Sequence, residues 1–146
     1  MNTLIKRTIS IIAVLVLSIL LLYIRFPIIG LDVSNFLNII IHITWVHLSF
    51  FAGGIVLVAL HKKFNIKMKI MTKTIDPIIC GLLMFILLYT VIFLDYLPNV
   101  SIIHVIRKIL SIPAAYVLGY YMGSKLFKWI IKLCNFNYPW RILYLS

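Results

Sequence analysis

The chain of 146 residues is 64% hydrophobic and has a mean hydropathy of +1.13. Soluble domains are about half apolar, so this composition excludes an ordinary soluble fold and predicts an integral membrane protein. The formal charge is +11, from 14 Lys and Arg against 3 Asp and Glu. Because the basic residues flank apolar runs, their expected partner is the anionic headgroups of a bilayer and not nucleic acid.

The N-terminal segment has the residue order of a signal peptide, with Lys6 and Arg7 ahead of an apolar run. No small-residue cleavage site follows that run, so we expect an uncleaved membrane helix over about residues 9–25, ended by Pro27. The next apolar run, residues 36–60, is long enough to cross the roughly 30 Å of bilayer hydrocarbon. These two runs are the predicted first and second spans.

A basic segment follows the second span. Five lysines lie within residues 61–76, and that many cations cannot cross a bilayer cheaply. The positive-inside rule therefore predicts a cytoplasmic loop over residues 61–76. At the end of this loop, Asp76 and Pro77 are typical of a helix N-cap and of the first helical position, so a third span is predicted over about residues 78–97.

The last apolar region is interrupted by charge. Residues 101–110 include a histidine, an arginine and a lysine, which are costly in lipid. We expect a short interfacial helix there on the outer side, a bend near Pro113, and a fourth span over about residues 112–127. A single helix from Val100, with its bases reaching out to the headgroups, is the alternative. Residues 125–146 are predicted to form a basic amphipathic tail in the cytoplasm.

The distribution of basic residues predicts the orientation. Three of the 14 Lys and Arg fall on the proposed outer side, namely Arg25, Arg107 and Lys108. Both termini are therefore expected in the cytoplasm. The predicted fold is an all-α integral membrane protein with four transmembrane helices in two hairpins, forming one domain over residues 1–146. The wealth of Ile, Lys and Asn suggests a bacterial host, and hence a location in the plasma membrane.

Small residues recur at every fourth position along the predicted fourth span, and a shorter small face lies on the second. A stripe without large side chains lets another helix approach closely enough for dispersion forces to hold the two helices together in lipid. The stripe packs either against other helices of this chain or against a different membrane protein or a second copy. The predicted helix-packing residues are Ser111, Ala115, Gly119, Gly123, Ser49 and Gly53.

Eight lysines near the predicted cytoplasmic ends are expected to contact anionic lipid. Each lysine near such a surface adds about 1 kcal/mol of attraction. The alternative is that these residues only set the topology. They are Lys62, Lys63, Lys67, Lys69, Lys73, Lys125, Lys128 and Lys132.

Residues able to carry chemistry are few. The chain has no glutamate, and its three aspartates fall at predicted span ends or in loops, so neither an enzyme nor a proton-coupled carrier is expected. His42 and His104, on the same predicted side of the membrane, have the residue type to ligate a haem from two helices. The simpler interpretation is a set of hydrogen-bonded interfacial imidazoles. No metal site and no cofactor is therefore predicted.

Two basic-ended hairpins in a small four-span chain resemble the GtrA-like proteins. The likeness is carried by His61-Lys62-Lys63-Phe64, Lys108, Lys125 and Phe127. The asparagine–phenylalanine signature that this family usually has before the bases is replaced here by Val58-Ala59-Leu60. The resemblance implies movement of polyprenyl-linked sugars across a bacterial membrane, and it assigns no functional residue of this chain.

Three functions follow as expectations. The first is a non-enzymatic accessory or assembly subunit that packs its small-residue stripe against a membrane partner or a second copy. The second is a translocator of a lipid-linked sugar or another amphipathic lipid. The third is a haem-bearing electron carrier that uses His42 and His104.

Overall fold

The computed structural model describes residues 2–28, 36–67, 70–90 and 102–137. Within these ranges, the side chains of residues 25–28, 36–42, 70–72, 104 and 135–137 are not described. The described chain forms four α-helices, which confirms the all-α prediction: α1 (Thr3–Ile28), α2 (Phe36–Lys63), α3 (Ile70–Leu88) and α4 (Ile102–Asn137).

Two helical segments of the described chain are long and apolar enough to cross a membrane. They are Thr3–Ile24 in α1 and Ile43–Lys63 in α2. The described parts of α3 and α4 do not meet the same test of length and composition. Four spans are predicted from the sequence, and two of the four helices meet this test.

The boundaries of α1 and α3 differ from the predicted ones. Pro27 lies within the last turn of α1, where a proline removes only one backbone hydrogen bond. Helix α3 begins at Ile70, so the predicted N-cap interpretation of Asp76 and Pro77 is wrong and both residues lie inside the helix. The loop between α2 and α3 is correspondingly shorter than residues 61–76.

Helix α4 is continuous from Ile102 to Asn137, with Pro113 inside it. The favoured division into a separate interfacial helix and a span beginning near residue 112 is therefore wrong. The alternative, a single helix, is present over residues 102–137, while its predicted start at Val100 lies outside the described residues. A proline in a helix interior removes one hydrogen bond, and close packing of the neighbouring helix can compensate for that loss. Gly81 of α3 supplies such packing, since a Cβ placed there would overlap the backbone of Pro113.

Helix α4 packs mainly against α2 and α3, while α1 packs mainly against α2. The rings of Phe50 on α2 and Tyr116 on α4 stack at a centroid distance of 5.5 Å. The Tyr116 hydroxyl donates a 2.7 Å hydrogen bond to Ser18 Oγ, which ties α4 to α1. The buried apolar core contains residues of all four helices: Val14, Phe50, Leu57, Val58, Cys80, Met84, Ile112, Tyr116 and Tyr120.

Candidate anion-binding site

The lysine-rich loop starts from a defined helix end. The backbone N–H of Ile66 donates to the carbonyl of His61 at 3.0 Å, and the N–H of Asn65 donates to the carbonyl of Lys62 at 3.1 Å. These two bonds form a Schellman motif, which needs a left-handed residue at its second-to-last position. Asn65 supplies that conformation with a φ of 50°, and asparagine tolerates it better than most residues do.

Lys6 binds this helix end from α1. Its ammonium Nζ donates to the carbonyl of Phe64 at 3.2 Å. A cation at a helix C-terminus satisfies a free carbonyl and interacts favourably with the helix dipole. The contact brings the start of α1 to the end of α2.

A buried ion pair lies beside this contact. Asp76 on α3 has no solvent exposure, and its carboxylate receives hydrogen bonds from both Nε and an Nη of Arg7 on α1. The Nε bond, to Asp76 Oδ2, is 3.0 Å long. Such a two-pronged contact is the strongest geometry available to an arginine and a carboxylate.

His61 and Tyr120 extend the ion pair to the other two helices. His61 Nε2 lies 3.3 Å from Asp76 Oδ2, at ion-pair distance although not aligned as a hydrogen bond. The other ring nitrogen, Nδ1, lies 3.0 Å from the Tyr120 hydroxyl. With the imidazole proton on Nε2, facing the carboxylate, Tyr120 donates to Nδ1. The polar network of Arg7, His61, Asp76 and Tyr120 thus takes one residue from each helix.

The network keeps Asp76 ionised. Burial alone would raise the pKa of the Asp76 carboxyl, but the close contacts of His61 and Arg7 and the charge of Arg7 outweigh burial and hold the pKa below its ordinary value. Arg7 binds the carboxylate of Asp76 directly, so its positive charge offsets the negative charge of Asp76.

A cavity of about 580 Å³ opens next to the network, between the end of α2, the loop after it, α3 and α4. This volume lies within the usual range of ligand pockets, about 300–1,000 Å³. His61 and Tyr120 form part of its wall, so the network and the cavity share two side chains. We call this cavity the basic pocket; its lining residues are Val58, His61, Lys62, Asn65, Ile66, Lys67, Lys73, Tyr120 and Ser124.

Three lysines give the basic pocket its charge. Lys62 comes from α2, Lys67 from the loop and Lys73 from α3. The ammonium of Lys62 lies 5.0 Å from the centroid of the Phe127 ring, which holds it against α4. Both Lys73 and Lys128 repel Lys62 electrostatically. Like charges from different helices therefore lie near one another, an arrangement that an anion would stabilise.

The predicted lipid-binding lysines divide into groups. Lys62, Lys67 and Lys73 line the basic pocket, and Lys128 acts on Lys62 from α4. Lys125 lies over the Tyr121 ring instead, at 4.6 Å. Lys63 and Lys132 are exposed and outside the pocket lining, while Lys69 lies outside the described residues.

The predicted packing stripe contacts helices of the same chain. A Cβ on Gly119 would overlap the backbone of Phe51, and one on Gly123 would come within 2.8 Å of Val58 Cγ1. Gly53 lies under the Tyr116 ring. Ser49 is buried and its hydroxyl donates to the Trp45 carbonyl at 2.9 Å, whereas Ser111 and Ala115 are partly buried.

Sequence reasoning missed several residues of this region. Gly54 and Gly81 also approach the backbone of α4 closely, since a Cβ on either would overlap an α4 backbone atom. The sequence predicts Asp76 as a helix cap, and it presents Arg7 only as a basic residue ahead of the first apolar run. An aspartate in a strongly basic membrane chain was a usable signal, because a buried carboxylate requires a cationic partner.

The histidines considered for haem are only partly described. The side chains of His42 and His104 lie outside the described residues, so their pairing stays a prediction. His47 is described, and its Nδ1 lies 2.7 Å from the carbonyl of Ile43 one turn earlier. Where side chains are described, no three His, Cys, Asp or Glu residues are grouped as metal ligands.

The fold and site define an all-α bundle with a buried ion-pair network beside a lysine-lined cavity. No family model, no curated protein and no solved structure matches this chain.

Proposed function

We propose that this protein is a four-span plasma-membrane protein that binds the anionic headgroup of a lipid-linked substrate at its cytoplasmic end. The observation that carries the proposal is the basic pocket, which joins three lysines to a helical bundle with an apolar exterior. Of the functions expected from the sequence, a lipid translocator uses such a site directly. A translocator must first bind the headgroup of its substrate.

The exterior of the bundle supports a membrane location. Large apolar side chains are exposed on each helix, for example Ile12 at 54%, Leu48 at 53%, Ile86 at 56% and Leu118 at 57%. Exposed apolar surface on this scale is unfavourable in water and favourable in lipid. Three buried or partly buried serines donate to the carbonyl four residues earlier, which satisfies a hydroxyl where water is absent: Ser10, Ser18 and Ser49.

The arrangement of charge supports one cytoplasmic end. The start of α1, the end of α2, the first turns of α3 and the later half of α4 meet through the contacts of Lys6 with Phe64 and of the polar network. These segments carry most of the lysines, as the positive-inside rule requires. On α4, residues 109–124 separate the two groups of bases and extend about 24 Å, so lysines at either end can reach the headgroups.

The accessory-subunit function stays a prediction. The glycines on which it depended, Gly119 and Gly123, lie against α2 in this chain. A partner would therefore have to use another face, and no described contact favours one.

Lipid binding tests the proposal directly. Purified protein in nanodiscs of phosphatidylcholine should retain added anionic lipid, measured by native mass spectrometry, more strongly than added zwitterionic lipid. Replacing Lys62, Lys67 and Lys73 together by Gln should remove most of that preference, because each lysine contributes about 1 kcal/mol of attraction.

Two exposed lysines outside the pocket lining provide the matched control. The double variant Lys63→Gln with Lys132→Gln should keep most of the preference for anionic lipid. Equal losses per substituted lysine in the two variants would show that the lysines act only as a diffuse charge, and the proposal would fail.

A further inference from the structure

We infer that the basic pocket selects a lipid headgroup that ends in a phosphate monoester, a dianion, over a phosphodiester headgroup, which carries one charge. This inference depends on the proposed function and narrows its ligand class.

The charge balance favours a dianion. Three ammonium groups line the pocket, and no carboxylate is among its described lining residues. The nearest described acid in the network, Asp76, is bound by Arg7 and so does not neutralise the lysines. A phosphodiester would leave most of this positive charge unbalanced, whereas a phosphate monoester balances two of the three charges at neutral pH.

The polar lining is rich in hydrogen-bond donors. Each lysine offers three N–H donors and no acceptor, and the Asn65 amide and the Ser124 hydroxyl add further donors. A phosphate monoester presents three unesterified oxygens, each a strong acceptor. A diester presents two, so it uses fewer of the available donors.

The lysines also converge from different parts of the fold. Lys62 is held over Phe127, the loop carrying Lys67 starts at the left-handed Asn65, and Lys73 belongs to α3. Cations held close together repel one another until an anion lies between them. A compact dianion relieves this repulsion more fully than a headgroup with one charge.

Competition in nanodiscs tests the selection. The probes are phosphatidic acid, a monoester, and phosphatidylglycerol, a diester, each titrated into nanodiscs of phosphatidylcholine that hold the native protein. At pH 8 we expect phosphatidic acid to bind at least about tenfold more tightly, from the additional charge facing three lysines. Equal affinities would overturn the inference and leave the proposed function intact. Binding of neither lipid above the zwitterionic background would overturn both.

A pH comparison separates charge state from headgroup size. A phosphate monoester loses its second charge below a pKa of about 6, so the preference for phosphatidic acid should shrink between pH 8 and pH 5. The charged and titratable groups at the pocket and its network are Lys62, Lys67, Lys73, His61, Tyr120, Asp76 and Arg7, with Lys128 of α4 and Lys6 of α1 beside them. Phosphatidylglycerol serves as the reference at each pH, because its own charge stays constant between pH 8 and pH 5. If the ratio of the affinities for phosphatidic acid and phosphatidylglycerol did not change with pH, selection by charge would be contradicted.

Variants and a soluble probe complete the test. Lys73→Gln should lower the affinity for phosphatidic acid more than the affinity for phosphatidylglycerol, while Lys63→Gln, outside the lining, should leave the ratio unchanged. A parallel loss of affinity for both lipids in Lys73→Gln would overturn the inference.

Glycerol 3-phosphate should not displace phosphatidic acid at equal concentration. Displacement would support monoester chemistry but assign it to a soluble ligand, and would overturn the lipid part of the proposed function.

Discussion

The ion pair between Arg7 and Asp76 should be a principal stabilising contact of the bundle. Asp76 is fully buried, and the Arg7 side chain is 26% exposed. Removing one member of a fully buried pair costs about 3–5 kcal/mol, but water reaches Arg7 and an asparagine still accepts one hydrogen bond. We therefore expect Asp76→Asn to lower the free energy of unfolding by about 2 kcal/mol, close to the value of a charge-assisted hydrogen bond.

A double-mutant cycle measures this contact. Unfolding by SDS in mixed micelles, followed by tryptophan fluorescence, would compare Asp76→Asn, Arg7→Met and the double variant. The two single losses should sum to more than the double loss by at least about 1 kcal/mol, because the double variant leaves no unpaired charge. Additive losses, or a loss below about 0.5 kcal/mol in Asp76→Asn, would refute a stabilising pair.

The remaining predictions concern pH, helix approach and thiol exposure. The fold lowers the pKa of Asp76, so as pH falls the unfolded chain binds a proton at Asp76 before the folded chain does. The contribution of ionised Asp76 to the free energy of unfolding is therefore complete above the unfolded pKa of 3.8, and it is lost as pH falls through the folded pKa. SDS unfolding at decreasing pH should show this loss in the native protein and a flatter profile in Asp76→Asn. Gly119→Ala should destabilise the protein by about 1–3 kcal/mol, because its Cβ would overlap the Phe51 backbone. The same substitution on an exposed helix face is stabilising. A higher free energy of unfolding for this variant in the same assay would disprove the close approach. A maleimide should label one thiol of the folded protein, the exposed Cys134, and reach the buried Cys80 only after unfolding, as counted by mass spectrometry; rapid double labelling would contradict the packing of α3.

Local patterns in the sequence determined the helical class and the positions of the apolar runs. Hydrophobic length and flanking charge are properties of neighbouring residues, so they predicted a helix over each described apolar region. They also predicted that small residues of α4 serve in helix packing, and the lysines of the basic pocket were all among the predicted lipid-binding residues.

Only the tertiary structure decided what those residues contact. The residues around Asp76 predict a helix cap. Its carboxylate instead binds Arg7, 69 positions away, because α1 and α3 meet at the same end of the bundle. The stripe on α4 does not encode its partner, since small residues allow close approach by any helix, and the fold places α2 there. The basic pocket likewise arises from the convergence of separate segments, because electrostatic and packing energies depend on distances in space that spacing along a chain does not specify.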